Sequence, residues 1–162
     1  MRLLFVCLGN ICRSPTAEAV MRDLLEREGL SGLVEVDSAG TGSWHVGHPP
    51  DERATAAAAR RGIALGGAAR QVTREDFATA DLLLAMDARN VADLRALAPT
   101  PEAAEKVRPL RSFDPDAVGT GELDVPDPYF GGEDGFGLVL THVQAACREL
   151  LVEVRERLAA AR

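Results

Sequence analysis

The sequence predicts a single α/β domain, built in three α/β/α layers on a central parallel sheet of about four strands, and three observations predict it. Apolar runs without alternation at 2–7 and 82–85 suit strands buried on both faces, and 34–38 and 107–110 read as two further strands. Segments with helical spacing lie between them, so strand and helix alternate along the chain. No repeat or linker interrupts the 162 residues, a length that one hydrophobic core serves.

The elements follow in order. Arg2 to Cys7 is the first buried strand, and after a polar loop Ser14-Pro15 opens a helix, with Pro15 suited to its first position. Ala17, Val20, Met21, Leu24 and Leu25 recur at helical spacing, and Gly29 stops the helix. Val34 to Ser38 forms the second strand, ending in Ala39-Gly40-Thr41-Gly42. Pro50-Asp51 starts an Ala-rich helix that ends at Gly62, and Thr73 caps a short one. Leu82 to Ala85 is the third strand, and Asp87 caps a helix reaching about Leu97. Val107 to Leu110 is a weaker fourth strand. Residues 111–135, rich in Asp, Pro and Gly, read as one long functional loop, a wall or lid. Phe136, Val139, Leu140, Val143, Cys147, Leu150, Leu151, Val154 and Leu158 then stripe the last helix.

Composition narrows the function classes. Hydrophobic residues make up 46%, enough for a core without metal or disulfide staples. The net charge of −7 disfavours nucleic acid or an anionic membrane as the main partner, so any bound anion must be held by a local concentration of donors. The run Leu3-Leu4-Phe5-Val6 is too short for a signal-peptide core, and no apolar stretch approaches the ~20 residues of a membrane span. A cytoplasmic location is expected. Three cysteines, an odd number, argue against a disulfide framework.

Ligands of parallel α/β sheets bind at the carboxyl ends of the strands, which points to the loops after Cys7, Ser38, Ala85 and Leu110. The informative one is Cys7-Leu8-Gly9-Asn10-Ile11-Cys12-Arg13-Ser14-Pro15. It joins a buried strand to a helix N-terminus, where unpaired N–H groups and the helix dipole favour an anion. Gly9 and Asn10 accept positive φ most readily, so the loop can turn its amides inward as an anion nest. Arg13 adds a planar fork of donors suited to phosphate oxygens. The same dipoles and the Arg13 cation favour a thiolate at Cys7, and Ser14 is placed to donate to that sulfur. In-line attack on phosphorus from there gives a phosphocysteine. A buried strand-end thiol is the commoner fate of a lone cysteine, but it leaves the register of Gly9, Asn10, Arg13, Ser14 and Pro15 unexplained.

This segment resembles the signature of the low-molecular-weight protein tyrosine phosphatases, a Cys, five residues and then Arg-Ser near the N-terminus. The likeness extends through Ser38-Ala39-Gly40, Trp44-His45-Val46-Gly47, Ala69-Arg70-Gln71-Val72-Thr73, Met86-Asp87 and Asp127-Pro128-Tyr129-Phe130, and so covers nearly the whole chain. The resemblance implies a phosphotyrosine protein phosphatase that needs no cofactor or metal, acts on phosphotyrosine-containing proteins and is a monomer or weak oligomer. It implies Cys7 as nucleophile, with Arg13 and the amides of Leu8, Gly9, Asn10, Ile11, Cys12 and Ser14 holding the phosphate.

The acid must come from elsewhere. Asp127, between Pro126 and Pro128, is the best choice on the residues, against an ordinary turn role for Asp beside Pro. Asp124 and Asp114 are weaker rivals in the same stretch. The resemblance gives Asp127 both proton transfers, to the leaving oxygen and then from water. Trp44, Tyr129 and Phe130 are three of only seven aromatics and fall in loops that flank the mouth, where rings can sandwich a phosphotyrosine. The resemblance supports Trp44 and Tyr129 as walls and makes Asn10 and Ser38 a hydrogen-bond pair that supports the loop. Asp87 helps hold that scaffold or serves only as a helix cap.

In the family the cysteine matching Cys12 can form a reversible disulfide with the nucleophile. Cys147 reads as core, and His45, His48 and His142 show no metal-ligand pattern. Ile11 stands where phosphoarginine-directed relatives tend to carry Thr, which favours phosphotyrosine. Gly67 replaces a histidine that joins the loop-supporting network in some relatives. Two rival functions remain. A thiol-dependent arsenate reductase needs extra cysteines, and residues 70–110 contain none. A non-catalytic phosphate-binding module needs neither Cys7 nor Asp127.

Overall fold

The computed structural model describes residues 1–129 and 131–162, without the side chain of Glu133. Four strands, β1 (Arg2–Cys7), β2 (Glu35–Gly40), β3 (Leu82–Ala85) and β4 (Val107–Pro109), form one sheet in the order β2-β1-β3-β4. Every pairing is parallel, with Leu3 opposite Val36 on one side and Leu82 on the other. The chain leaves β1 for β2, then crosses back to place β3 on the opposite flank. That reversal sits at the carboxyl end of β1, the position at which such sheets open a crevice for ligands.

Successive side chains of a strand point to opposite faces, and here both faces are apolar. Leu3, Phe5, Leu82 and Leu84 join one buried cluster, under α1 (Arg13–Arg27), α2 (Glu52–Ala59) and α7 (Glu133–Ala160). Leu4, Val6, Leu83 and Ala85 join the other, with Phe77 of α3 (Arg74–Thr79), Val91 and Leu94 of α4 (Ala88–Leu97) and Ala103 of α5 (Pro101–Glu105). This is the expected three-layer arrangement, and it explains the absence of alternation in β1 and β3, whereas β2 carries the polar Glu35, Asp37 and Ser38. Each fully buried Leu contributes roughly 1.5–3 kcal/mol.

Several boundaries move from the sequence expectation. Helix α1 begins at Arg13 with Cys12 as its N-cap, so Pro15 is third rather than first; it still lies within the turn whose N–H groups need no helical partner. Gly29 does end that helix, with φ 70°. Strand β2 runs on to Gly40, and α2 stops at Ala59, with Gly62 at φ 76° closing the turn beyond it. Thr73 caps α3 through a reciprocal box with Asp76, as its sequence suggests. Helix α5 has Pro101 in its first turn and Thr100 as cap, signals present in the sequence but passed over.

The stretch 111–135 is the largest departure. A 3₁₀ turn (Leu110–Phe113) and α6 (Pro115–Thr120, capped by Asp114) occupy its first half, so among the described residues the irregular part is 121–129 with 131 and 132. Asp114, one rival acid, is spent on that cap. No helix among the described residues is long and apolar enough to cross a membrane.

Candidate active site

The loop from Cys7 to α1 is built at the sheet's switch point, and its carbonyls are turned outward. Cys7 O accepts from Thr41 N at 2.9 Å, Leu8 O from Gly42 N at 2.9 Å and Ile11 O from Asp51 N at 2.8 Å. A trans peptide points its N–H opposite its C=O, so the amides of Leu8, Gly9 and Cys12 face back into the loop. Asn10 takes the left-handed conformation, φ 57°, and is the sole non-glycine to do so among the described residues. Gly9 does not adopt positive φ. A Cβ there would meet the His45 ring at 3.0 Å, a tight contact that His45 would have to give way to. Gly40 is required for space, since a Cβ there would come within 2.7 Å of the backbone oxygen of Leu8.

Cys7 lies at the base of this loop, 3% exposed. Its sulfur accepts from Asn10 N at 3.3 Å and lies 3.0 Å from Ser14 Oγ. The Asn10 side chain donates from Nδ2 to Ser14 Oγ at 2.8 Å and to Ser38 Oγ at 3.0 Å. Its Oδ1 accepts from Arg70 N at 3.0 Å, and Arg70 is itself tied to Asp37 and Asp76. The expected Asn10–Ser38 pair is therefore one link in a longer network that reaches Ser14 and Glu18, the latter accepting from Ser38 Oγ at 2.7 Å. Helical spacing hides Glu18, which looks like any solvent-facing glutamate of α1.

Arg13 is also 3% exposed, and its guanidinium is aimed by three oxygens. Nη1 donates to Asp87 Oδ2 at 2.7 Å and to Val125 O at 3.0 Å, while Nη2 approaches Asp127 Oδ2 at 3.5 Å. Burial opposes its charge, but Cys7, Asp87 and Asp127 together outweigh that and hold the guanidinium above its ordinary range. Asp87 fills both roles considered for it, since Oδ1 caps α4 at Asn90 N while Oδ2 fixes Arg13.

Asp127 reaches the same place from the far end of the chain. One oxygen accepts from Tyr129 N at 3.1 Å, the turn contact that Asp beside Pro often makes, and the other faces Arg13. Its side chain is 43% exposed. Asp124 points away and accepts from Ala88 N. Val125 anchors the segment by donating to Met86 O at 2.7 Å.

A cleft of about 150 Å³ is lined by Cys7, Leu8, Gly9, Ile11, Cys12, Arg13, Trp44, His45, Asp127 and Tyr129. Trp44 is 70% exposed and lies over Gly42, on one side of the mouth. Tyr129 stands with its ring 5.9 Å from that of His45, and the Arg53 guanidinium lies 5.6 Å from the Tyr129 ring centre. Phe130 falls outside the described residues. His45 and Arg53 are contributors the sequence reading missed; their only signal is proximity to Trp44 and to the Asp51 cap. The Cys12 thiol is pushed up to about 12, by burial first and then by Asp51, Cys7 and Asp127. Cys147, buried in the core, is likewise pushed up to about 12. All three cysteines are free.

A family model for low molecular weight phosphotyrosine protein phosphatase matches residues 2–160. The chain is 55% identical over 156 residues to the low molecular weight protein-tyrosine-phosphatase of Streptomyces coelicolor, covering 96% of this chain and 94% of that one. The crystal structure of a protein tyrosine phosphatase from Entamoeba histolytica, with Hepes in its active site, superposes with a TM-score of 0.91 at 38% identity, covering 96% and 97% of the two chains. A Drosophila arginine phosphatase superposes with a TM-score of 0.86 at 33% identity, covering 95% and 98%. The match spans the anion loop, the Asp127 segment and everything between them: the chain belongs to the low molecular weight phosphotyrosine protein phosphatase family.

Proposed function

We propose that the chain hydrolyses phosphotyrosine on proteins in the cytoplasm, through a phosphocysteine on Cys7. The observation that carries this reading is the sulfur's position. It sits at the base of a loop of inward-facing amides, 3.0 Å from Ser14 Oγ and in the field of a buried arginine. The cytoplasmic assignment rests on three unpaired cysteines, which suit a reducing compartment.

The phosphate dianion enters the loop, where the amides and Arg13 take its three non-bridging oxygens. The Cys7 thiolate attacks phosphorus opposite the phenolic oxygen; an S–P bond forms as the P–O bond breaks. Protonated Asp127 gives its proton to the departing oxygen, so that phenol leaves. Asp127, now a carboxylate, takes a proton from water whose oxygen attacks phosphorus. The S–P bond breaks, the sulfur regains its electron pair, and inorganic phosphate leaves. Ser14 stabilises the thiolate at both ends of the cycle. Preformed donors meet the charge on the equatorial oxygens without rearrangement.

Trp44, Tyr129 and the apolar Ile11 at the mouth favour an aromatic ring over a guanidinium. The test is hydrolysis of matched phosphotyrosyl and phosphoarginyl peptides. The reading expects faster turnover of the phosphotyrosyl peptide, and faster phosphoarginine hydrolysis contradicts it.

A further inference from the structure

Four hydrogen bonds link the Cys7 sulfur to the carboxylate of Glu18, a residue outside the cleft. Ser38 Oγ lies 2.7 Å from Glu18 Oε1, Asn10 Nδ2 lies 3.0 Å from Ser38 Oγ and 2.8 Å from Ser14 Oγ, and Ser14 Oγ lies 3.0 Å from the sulfur. The donor inventory forces a single direction on this chain. A carboxylate only accepts, so the one proton of Ser38 goes to Glu18 and leaves its oxygen free to accept from Asn10. The Asn10 amide cannot turn over, because its oxygen already accepts from Arg70 N. Ser14 therefore also accepts from Asn10, and its own proton is left for the sulfur or, at a longer 3.4 Å, for Ala39 O.

We propose that Glu18 is a positioning residue for the reaction, whose acceptor-only carboxylate orders Ser38, Asn10 and Ser14 so that the Ser14 proton is aimed at Cys7. The proposal rests on the phosphocysteine reading above. Glu18 is well placed for it. Its side chain is 16% exposed, and its second oxygen accepts from Arg22 Nη2 at 2.6 Å. A separate polar cavity of about 140 Å³, lined by Asn10, Glu18, Asp37, Ser38 and Gly67, borders the chain of bonds. Gly67 brings no side chain into it, so among the described residues Glu18 is the acceptor for Ser38. Among the described residues the other charges near the network are Asp37, paired with Arg70 and Arg2, Asp76 paired with Arg70, and Arg13 with Asp87 and Asp127 beside the sulfur.

Four variants test it: Glu18→Ala, Glu18→Gln, Arg22→Ala and Ser38→Ala. Each is assayed for kcat and KM on an aryl phosphate, and for the pH profile of Cys7 alkylation by iodoacetamide. Loss of an ordered bond to a charged partner predicts that Glu18→Ala lowers kcat about tenfold, leaves KM near the wild-type value and moves the alkylation profile to higher pH. Glu18→Gln keeps an amide oxygen that can accept from Ser38, and it recovers most of both readouts. Arg22→Ala removes the carboxylate's other partner and leaves both within about twofold of wild type, as exposed pairs usually do. Ser38→Ala breaks the next link and matches Glu18→Ala, which keeps the test available if the latter does not fold.

A wild-type kcat and alkylation profile in Glu18→Ala or Ser38→Ala overturns the proposal. So does a glutamine variant no better than alanine, or an Arg22→Ala variant as impaired as Glu18→Ala. Failure of the wild-type enzyme itself to turn over the ester, or to alkylate at Cys7 in a phosphate-protectable way, instead sinks the phosphatase mechanism.

Discussion

The anion loop and the segment carrying Asp127 face one another across the same cleft, yet they are held in opposite ways. Cys7, Asn10, Arg13 and Ser14 are buried, and their polar atoms are engaged by one another, by Ser38 and by Asp87. Asp127 has a side chain 43% open to solvent, in an irregular stretch fastened by its neighbours, Asp124 to Ala88 N and Arg111, and Val125 to Met86 O and Arg13. The contrast follows from the chemistry each side must do. Donors that meet transition-state charge work best when fixed beforehand, whereas a group that exchanges protons with substrate and water needs access to both. The loop should therefore affect every substrate alike, and Asp127 should discriminate among leaving groups.

Cys7→Ser offers the sharpest break. Turnover should fall by about 10⁴-fold or more with any ester, because a serine hydroxyl is neither ionised nor a comparable leaving group. Thermal unfolding should barely move, and near-normal turnover removes Cys7 from the nucleophile role. Asp127→Asn comes next and sharpens the comparison. Loss of the acid costs roughly 10²–10⁴-fold with poor leaving groups and little with acidic phenols, read as the slope of log kcat against phenol acidity. Equal loss across the series takes the acid role away from Asp127. Arg13→Lys should cost about 10²–10³-fold in kcat/KM, independent of the leaving group, since a point charge cannot replace the planar fork. A loss that tracks phenol acidity blurs the division between the two regions.

The smallest effect concerns the loop's rear support. Burial opposes ionisation of Asp76, but hydrogen bonds from Arg70 and Thr73 outweigh it and hold its carboxyl below the ordinary range. A carboxyl lowered in the folded state stabilises fully above its unfolded value, about 4, and the contribution is lost as pH falls through the lower folded value. Asp76→Asn should therefore cost about 1 kcal/mol near neutrality and flatten the acid limb of the stability curve, measured by urea unfolding from about pH 6 down to 2. An unchanged acid limb contradicts that role.

The two regions also differed in how far they could be read from sequence. The loop was legible because its constraints are local: a strand end, residues tolerant of tight turns, an arginine and a helix start lie within nine positions. Even there, of the two residues expected to take positive φ only Asn10 does so, and Gly9 instead packs closely beside His45. The two central strands, β1 and β3, were legible for a similar reason, as strands covered on both faces are apolar along most of their length. The segment around Asp127 was half legible from its residues and needed family likeness for the rest, because an aspartate between prolines looks the same as a turn. Glu18, His45, Arg53 and Arg70 were hidden, since their partners lie far along the chain and no local periodicity marks a long-range hydrogen bond. Helices α5 and α6 were passed over because each is only five or six residues long, too short for a periodic pattern.

The most direct test of the account is to trap its intermediate. Wild-type enzyme turning over an aryl phosphate is quenched in acid within the first turnovers, digested and mapped by mass spectrometry. The account predicts one added phosphoryl group on the peptide containing Cys7, carried by that sulfur and absent after the substrate is exhausted. Product accumulating with Cys7 unmodified, or with the phosphoryl group on another residue, contradicts it.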